Sequence, residues 1–150
     1  MDVGRLHILV VDDCADCADS TVALLTCWGY GARACYDGAT ALESARAREP
    51  DAVILDIAMP GMDGFRFARL FRETPGRETT LVVAVSGYTG SGYLARAREA
   101  GIRHYLIKPA DPEQLRELLT WEVELRLLVL RRSRALPAGV SAVARTSVLA

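Results

Sequence analysis

The chain has 150 residues, 51% of them hydrophobic and 25% charged, with a formal net charge of -1. That length suits one globular domain with a single core, and near-neutral charge removes any overall drive toward nucleic acid or an anionic membrane, so neither is expected as a partner. The first apolar run, His7 to Val11, ends at Asp12-Asp13 and is too short for a signal-peptide core or a membrane span. A cytoplasmic location is therefore expected, with Cys14, Cys17, Cys27 and Cys35 as reduced thiols.

Short aliphatic runs alternate with longer stretches of helix-like spacing. In chain order, a strand over Ile8 to Val11 is followed by a helix from Cys14 to Trp28, a weaker strand over Ala32 to Tyr36 and a helix from Gly38 to Arg48. Ala52 to Leu55 reads as the third strand and Gly64 to Arg72 as the third helix. Leu81 to Val85, Gly90 to Ala100 and Tyr105 to Ile107 supply the fourth strand, fourth helix and fifth strand. A last helix is expected from Pro112 to Arg132. Gly29, Gly31 and Gly101 stand where helices are expected to stop. The alternation implies an α/β fold with a five-stranded parallel sheet doubly wound by five helices, and the unbroken aliphatic runs of the first and fourth strands belong in its interior.

The last helix is amphipathic at first, with Leu115, Leu118, Leu119 and Val123 spaced to face a core. From Leu125 to Leu130 it is apolar around more of its circumference than packing on one sheet requires, which suggests self-association into a homodimer or docking of a partner. Arg131, Arg132, Arg134 and Arg145 follow with no acid among them, and Pro137 and Gly139 suggest that the helix has ended. The expected division is a domain over residues 1–124 and an extended helix end with a basic tail over 125–150. Spread arginines of this kind form no recognisable DNA-binding unit.

Ligands of parallel sheets bind at the carboxyl ends of the strands. There the sequence places Asp12-Asp13, Asp56, Ser86-Gly87 and Lys108-Pro109. A single aspartate after a strand is an ordinary turn former or helix cap. Three on one rim repel one another, and a divalent cation with oxygen ligands, Mg2+ above all, would relieve that repulsion. Lys108 is the one lysine among 18 basic residues, the others being arginine. Its compact ammonium suits one oxygen in a tight acidic pocket. Cation, carboxylate, hydroxyl and ammonium together suit phosphoryl transfer, with an aspartyl phosphate as product.

On the stretches Ile8 to Asp13, Val53 to Gly64, Ala84 to Gly87 and Tyr105 to Pro109, the chain resembles the receiver domain of two-component response regulators across Leu6 to Glu124. The resemblance implies a flavodoxin-like sheet of order 2-1-3-4-5 and a phosphorylation switch rather than an enzyme acting on a separate substrate. It implies that Asp56 accepts a phosphoryl group from a sensor histidine kinase or a histidine phosphotransfer protein. Asp13, Asp56 and the backbone carbonyl of Ala58 would ligate Mg2+, with Asp12 acting through a water. Lys108 would pair with the phosphoryl oxygens, Ser86 would turn its hydroxyl to the phosphate, and Tyr105 would rotate into the space vacated. The Lys108-Pro109 peptide would be cis. The surface of the fourth helix, fifth strand and fifth helix, with Tyr88 and Trp121 near it, would meet a downstream protein.

Two other readings compete. A Mg2+-dependent phosphatase of the dehalogenase type also forms an aspartyl phosphate, but wants a second aspartate where this chain has Ala58. A receiver-like module that accepts no phosphate is the other. Cys14 and Cys17 form a Cys-x-x-Cys at a helix start, a place that lowers a thiol pKa, and a four-thiolate zinc site with Cys27 and Cys35 can be drawn. His7 and His104 read as structural.

Overall fold

The computed structural model describes residues 5–135. Its strands are β1 (His7–Val11), β2 (Gly31–Cys35), β3 (Ala52–Asp56), β4 (Leu81–Ser86) and β5 (His104–Ile107). Its helices are α1 (Ala15–Cys27), α2 (Gly38–Ala47), α3 (Gly64–Glu73), α4 (Ser91–Glu99) and α5 (Pro112–Ala135). The strands pair in parallel in the order β2-β1-β3-β4-β5, which is the expected doubly wound topology.

Successive strand residues point to opposite faces. Leu9, Val11, Val53, Leu55, Val82 and Ala84 join one core cluster with Phe65, Phe67 and Phe71 of α3. Ile8, Val10, Ile54 and Val83 join the other, with Leu25 of α1 and Leu115 and Leu119 of α5. Both faces are covered over β1, β3 and β4, so these central strands are apolar along nearly their whole length, whereas the edge strands β2 and β5 are only half-buried.

The second strand begins at Gly31, one residue before the expected start, so Gly31 opens a strand and does not stop a helix. Its register against β1 decides this, with His7 opposite Gly31. Gly29 and Gly101 do follow helix ends, at φ 92° and 78°, where a side chain would be strained.

The last helix runs to Ala135, beyond the expected Arg132. Its first half is buried through Leu115 and Leu119, while Leu118 and Val123 pack at the edge of the same cluster. Arg126 then ties it to the sheet through Asp51. Past that anchor, Leu128, Val129 and Leu130 are exposed. Pro137, Gly139 and Arg145 lie outside the described residues. Among the described residues, no helix is long and apolar enough to cross a membrane.

Candidate functional site

Because all strands run in one direction, their carboxyl ends share one edge of the sheet. Asp56 is the last residue of β3 and pairs in register with Val85, so it stands beside the end of β4. Asp12 extends β1 by one ladder bond, its N–H donating to the Cys35 carbonyl at 3.1 Å. Lys108 extends β5 in the same way, donating to the Ser86 carbonyl at 2.9 Å. The backbone thus fixes the base of each functional side chain.

The carboxylates of Asp12, Asp13 and Asp56 bring oxygens within 4.8 Å of one another. Asp12 and Asp56 are buried, and Asp13 is exposed at the rim. The Lys108 ammonium bridges the two buried acids, 3.3 Å from Asp12 Oδ2 and 3.4 Å from Asp56 Oδ1. These are long for charge-assisted contacts, so one ammonium stretched over two carboxylates neutralises neither fully.

The imbalance shows in Asp56, whose pKa is raised to about 6, first by desolvation and then by the charge of Asp12, against the opposing pull of Lys108. Burial alone would lower the Lys108 ammonium, but Asp56 and Asp12 outweigh it and its pKa is raised. A buried carboxylate held short of positive charge, with two more within reach, has the donor set for a hard divalent cation.

The turn after β3 is closed at Ile57, whose carbonyl takes the N–H groups of Met59 at 3.0 Å and Gly64 at 2.9 Å, and not at Ala58. Ala58 is exposed on the rim beside the acids. Gly64 is required here, since a Cβ would lie 2.6 Å from the Asp56 carbonyl oxygen and 2.8 Å from Ile57 Cα. Asp63 caps α3 by accepting from the Arg66 N–H at 2.8 Å. The Lys108-Pro109 peptide is cis.

Ser86 is fully buried, and its Oγ accepts from the Tyr88 N–H at 3.2 Å. The carbonyl of the same residue, Tyr88, accepts from the Tyr105 hydroxyl at 3.1 Å. One backbone residue therefore links Ser86 to Tyr105. The Tyr88 ring lies outside this link and stacks on Tyr93 with centroids 4.9 Å apart. Sequence reasoning placed Tyr88 near the output face but missed this bridge, because a backbone contact leaves no mark on residue type.

The cysteines do not gather. Cys14 caps α1, its Sγ accepting from the Cys17 N–H at 3.3 Å, while its own N–H donates to Asp12 Oδ1 at 3.0 Å. The expected lowering of a thiol fails at Cys17, whose pKa is raised, chiefly by its side-chain hydrogen bond with Cys14. Cys27 ends the same 13-residue helix, ~20 Å from the cap at 1.5 Å per residue, so a four-thiolate zinc site does not form. His7 and His104 begin β1 and β5, at the edge of the sheet away from the acids. Trp121 is 63% exposed on α5.

Residues 8–120 match the family model of the response regulator receiver domain. The chain is 34% identical over 115 residues to the DNA-binding response regulator MtrA of Mycobacterium tuberculosis, a match covering 77% of this chain and 49% of that protein. It is 37% identical over 109 residues to the response regulator PleD of Caulobacter vibrioides, covering 73% of this chain and 24% of that one. The matched segment thus spans half or less of the length of these relatives. Among solved structures, the chemotaxis protein CheY4 of Vibrio cholerae superposes with a TM-score of 0.74 at 28% identity, covering 77% of this chain and 97% of that chain.

Proposed function

The chain belongs to the response-regulator receiver family, signalling regulators of two-component systems, and from that premise we propose that Asp56 is its phosphoryl acceptor, with Mg2+ held by the acids around it. The observation that carries the reading is the crowding of Asp12, Asp13 and Asp56 around the single ammonium of Lys108.

In this reading an Asp56 oxygen attacks the phosphorus of a phosphohistidine on a sensor kinase or phosphotransfer protein. The P–N bond breaks as the P–O bond forms, and the departing imidazole keeps the electron pair. Asp13, Asp56 and the Ala58 carbonyl would hold Mg2+, with Asp12 reaching it through a water. The cation would neutralise the crowded carboxylates and the incoming phosphoryl oxygens. That charge would also keep Asp56 ionised at neutral pH, which its raised pKa makes harder in the metal-free site.

Lys108 sits 3.4 Å from Asp56 Oδ1 and is placed to transfer its contact to a phosphoryl oxygen. Ser86 would release the Tyr88 N–H and turn its hydroxyl to the phosphate. Because the Tyr88 carbonyl holds the Tyr105 hydroxyl, that release would also free Tyr105. The signal would reach the α4, β5 and α5 surface as a loss of two hydrogen bonds at one residue, read there by a downstream protein.

Incubation with Mg2+ and acetyl phosphate, followed by intact mass measurement, tests the reading. One phosphoryl adduct is expected on the wild type and none on Asp56→Asn. An adduct that survives in Asp56→Asn, or its absence from the folded wild type, would overturn it.

A further inference from the structure

From Trp121 onward α5 carries a stripe that the body of the domain leaves exposed, continuing from Leu118 at the edge of the core. Leu118, Trp121, Leu125, Leu128, Arg132 and Ala135 follow one another at alternate steps of three and four, which is the spacing of a seam between two helices. Trp121, Leu125 and Leu128 are 63%, 42% and 53% exposed. The last buried residue of α5 is Glu122, so most of this seam projects beyond the core contacts.

The order of residues along the seam selects its occupant. When two copies of α5 run antiparallel about a centre between Arg126 and Leu127, Leu125 of each meets Leu128 of the other. Trp121 then meets Arg132, a guanidinium over an indole face, and Leu118 meets the small Ala135. On the outer flank Glu124 of one copy meets Arg131 of the other. Each contact occurs twice, as a two-fold interface requires. A parallel pairing would instead set Arg132 beside Arg132 in the seam and leave Glu124 opposite Val129, with like charges meeting and no ion pair gained.

We propose that α5 is a self-association surface on which a second copy of this chain docks its own α5 antiparallel, through Trp121, Leu125, Leu128 and Arg132. The charge order of the helix supports this occupant, since Glu113, Glu117, Glu122 and Glu124 outweigh Arg116 as far as residue 124, while Arg126, Arg131, Arg132 and Arg134 stand without an acid after it. Head-to-tail alignment sets the acidic half against the basic half. The pairing needs no phosphoryl group, so its test leaves the assignment of Asp56 untouched.

Sedimentation of the unphosphorylated full chain across the micromolar range is expected to show a dimer, and Leu128→Glu a monomer with unchanged far-UV circular dichroism. Glu124→Arg and Arg131→Glu are each expected to weaken the dimer about five- to tenfold, because both reciprocal ion pairs become like-charge contacts. Combining the two substitutions is expected to restore the affinity, since each pair is then re-formed with the charges exchanged. A monomeric wild type overturns the proposal. So does a double variant that binds no better than the singles, since the parallel arrangement offers no such rescue.

Discussion

Two aspartates bracket β3, and they are satisfied in opposite ways. Asp51, just before the strand, accepts from the His7 N–H at 2.7 Å and from Arg126 Nη1 at 2.6 Å, while its carbonyl accepts from Arg126 Nη2 at 2.9 Å. Asp56, at the other end, has one ammonium at 3.4 Å, shared with Asp12, and a third carboxylate within reach. The first is a fastening between α5 and the sheet. The second is a cluster of negative charge that one ammonium does not balance, and the proposed acceptor role of Asp56 rests on that difference.

Removing each acid should therefore have effects of opposite sign on stability. Asp51→Ala removes the carboxylate shared by Arg126 Nη1 and the His7 N–H, while Arg126 keeps the residue-51 carbonyl and Glu122, and should destabilise the fold by about 2 kcal/mol, measured by urea unfolding. Phosphoryl acceptance at 25 °C should persist in the folded fraction.

Asp56→Asn should stabilise. The folded pKa of about 6 lies above the ordinary carboxylate value, so the native state binds more protons than the unfolded chain between those values. Stability from this group is full below ~4 and is lost as pH rises through about 6. At pH 8 the Asn variant should exceed the wild type by ~1–2 kcal/mol, allowing for solvent screening at the open mouth of the site. At pH 4 the two should coincide, and unfolding curves at both values check the sign.

Mg2+ should stabilise the wild type by about 1.4 kcal/mol at a tenfold excess over its Kd, by mass action. Asp56→Asn should lose most of that increment in the same thermal melts. Cys14→Ser should have the smallest effect, within ~0.5 kcal/mol, since serine replaces one acceptor for the Cys17 N–H with a better one. A larger change would mean that the thiol has work beyond capping α1.

The sequence made the proposed acceptor end of this comparison legible and the structural end almost invisible. Parallel strands must deliver their last residues to one edge, so Asp12, Asp13, Asp56, Ser86 and Lys108 could be gathered from pattern alone. Asp51 and Arg126 stand 75 positions apart, and neither residue type nor spacing marks them as partners. The Ser86–Tyr88–Tyr105 link was hidden because its centre is a peptide group. Gly31 was misplaced because a glycine after a helix resembles a stop until the register with His7 shows that it opens a strand. The apolar excess of α5 was visible, whereas its continuation to Ala135 depended on no Pro or Gly intervening, a weak signal among exposed arginines.

The contrast between the two aspartates is tested most directly by carboxyl NMR titration of Asp56 with and without Mg2+. Without the cation the resonance is expected to titrate at about 6, and with saturating Mg2+ its midpoint should fall below the range in which the metal-free protein titrates. An Asp56 that titrates at the ordinary carboxylate value in both conditions would contradict the account.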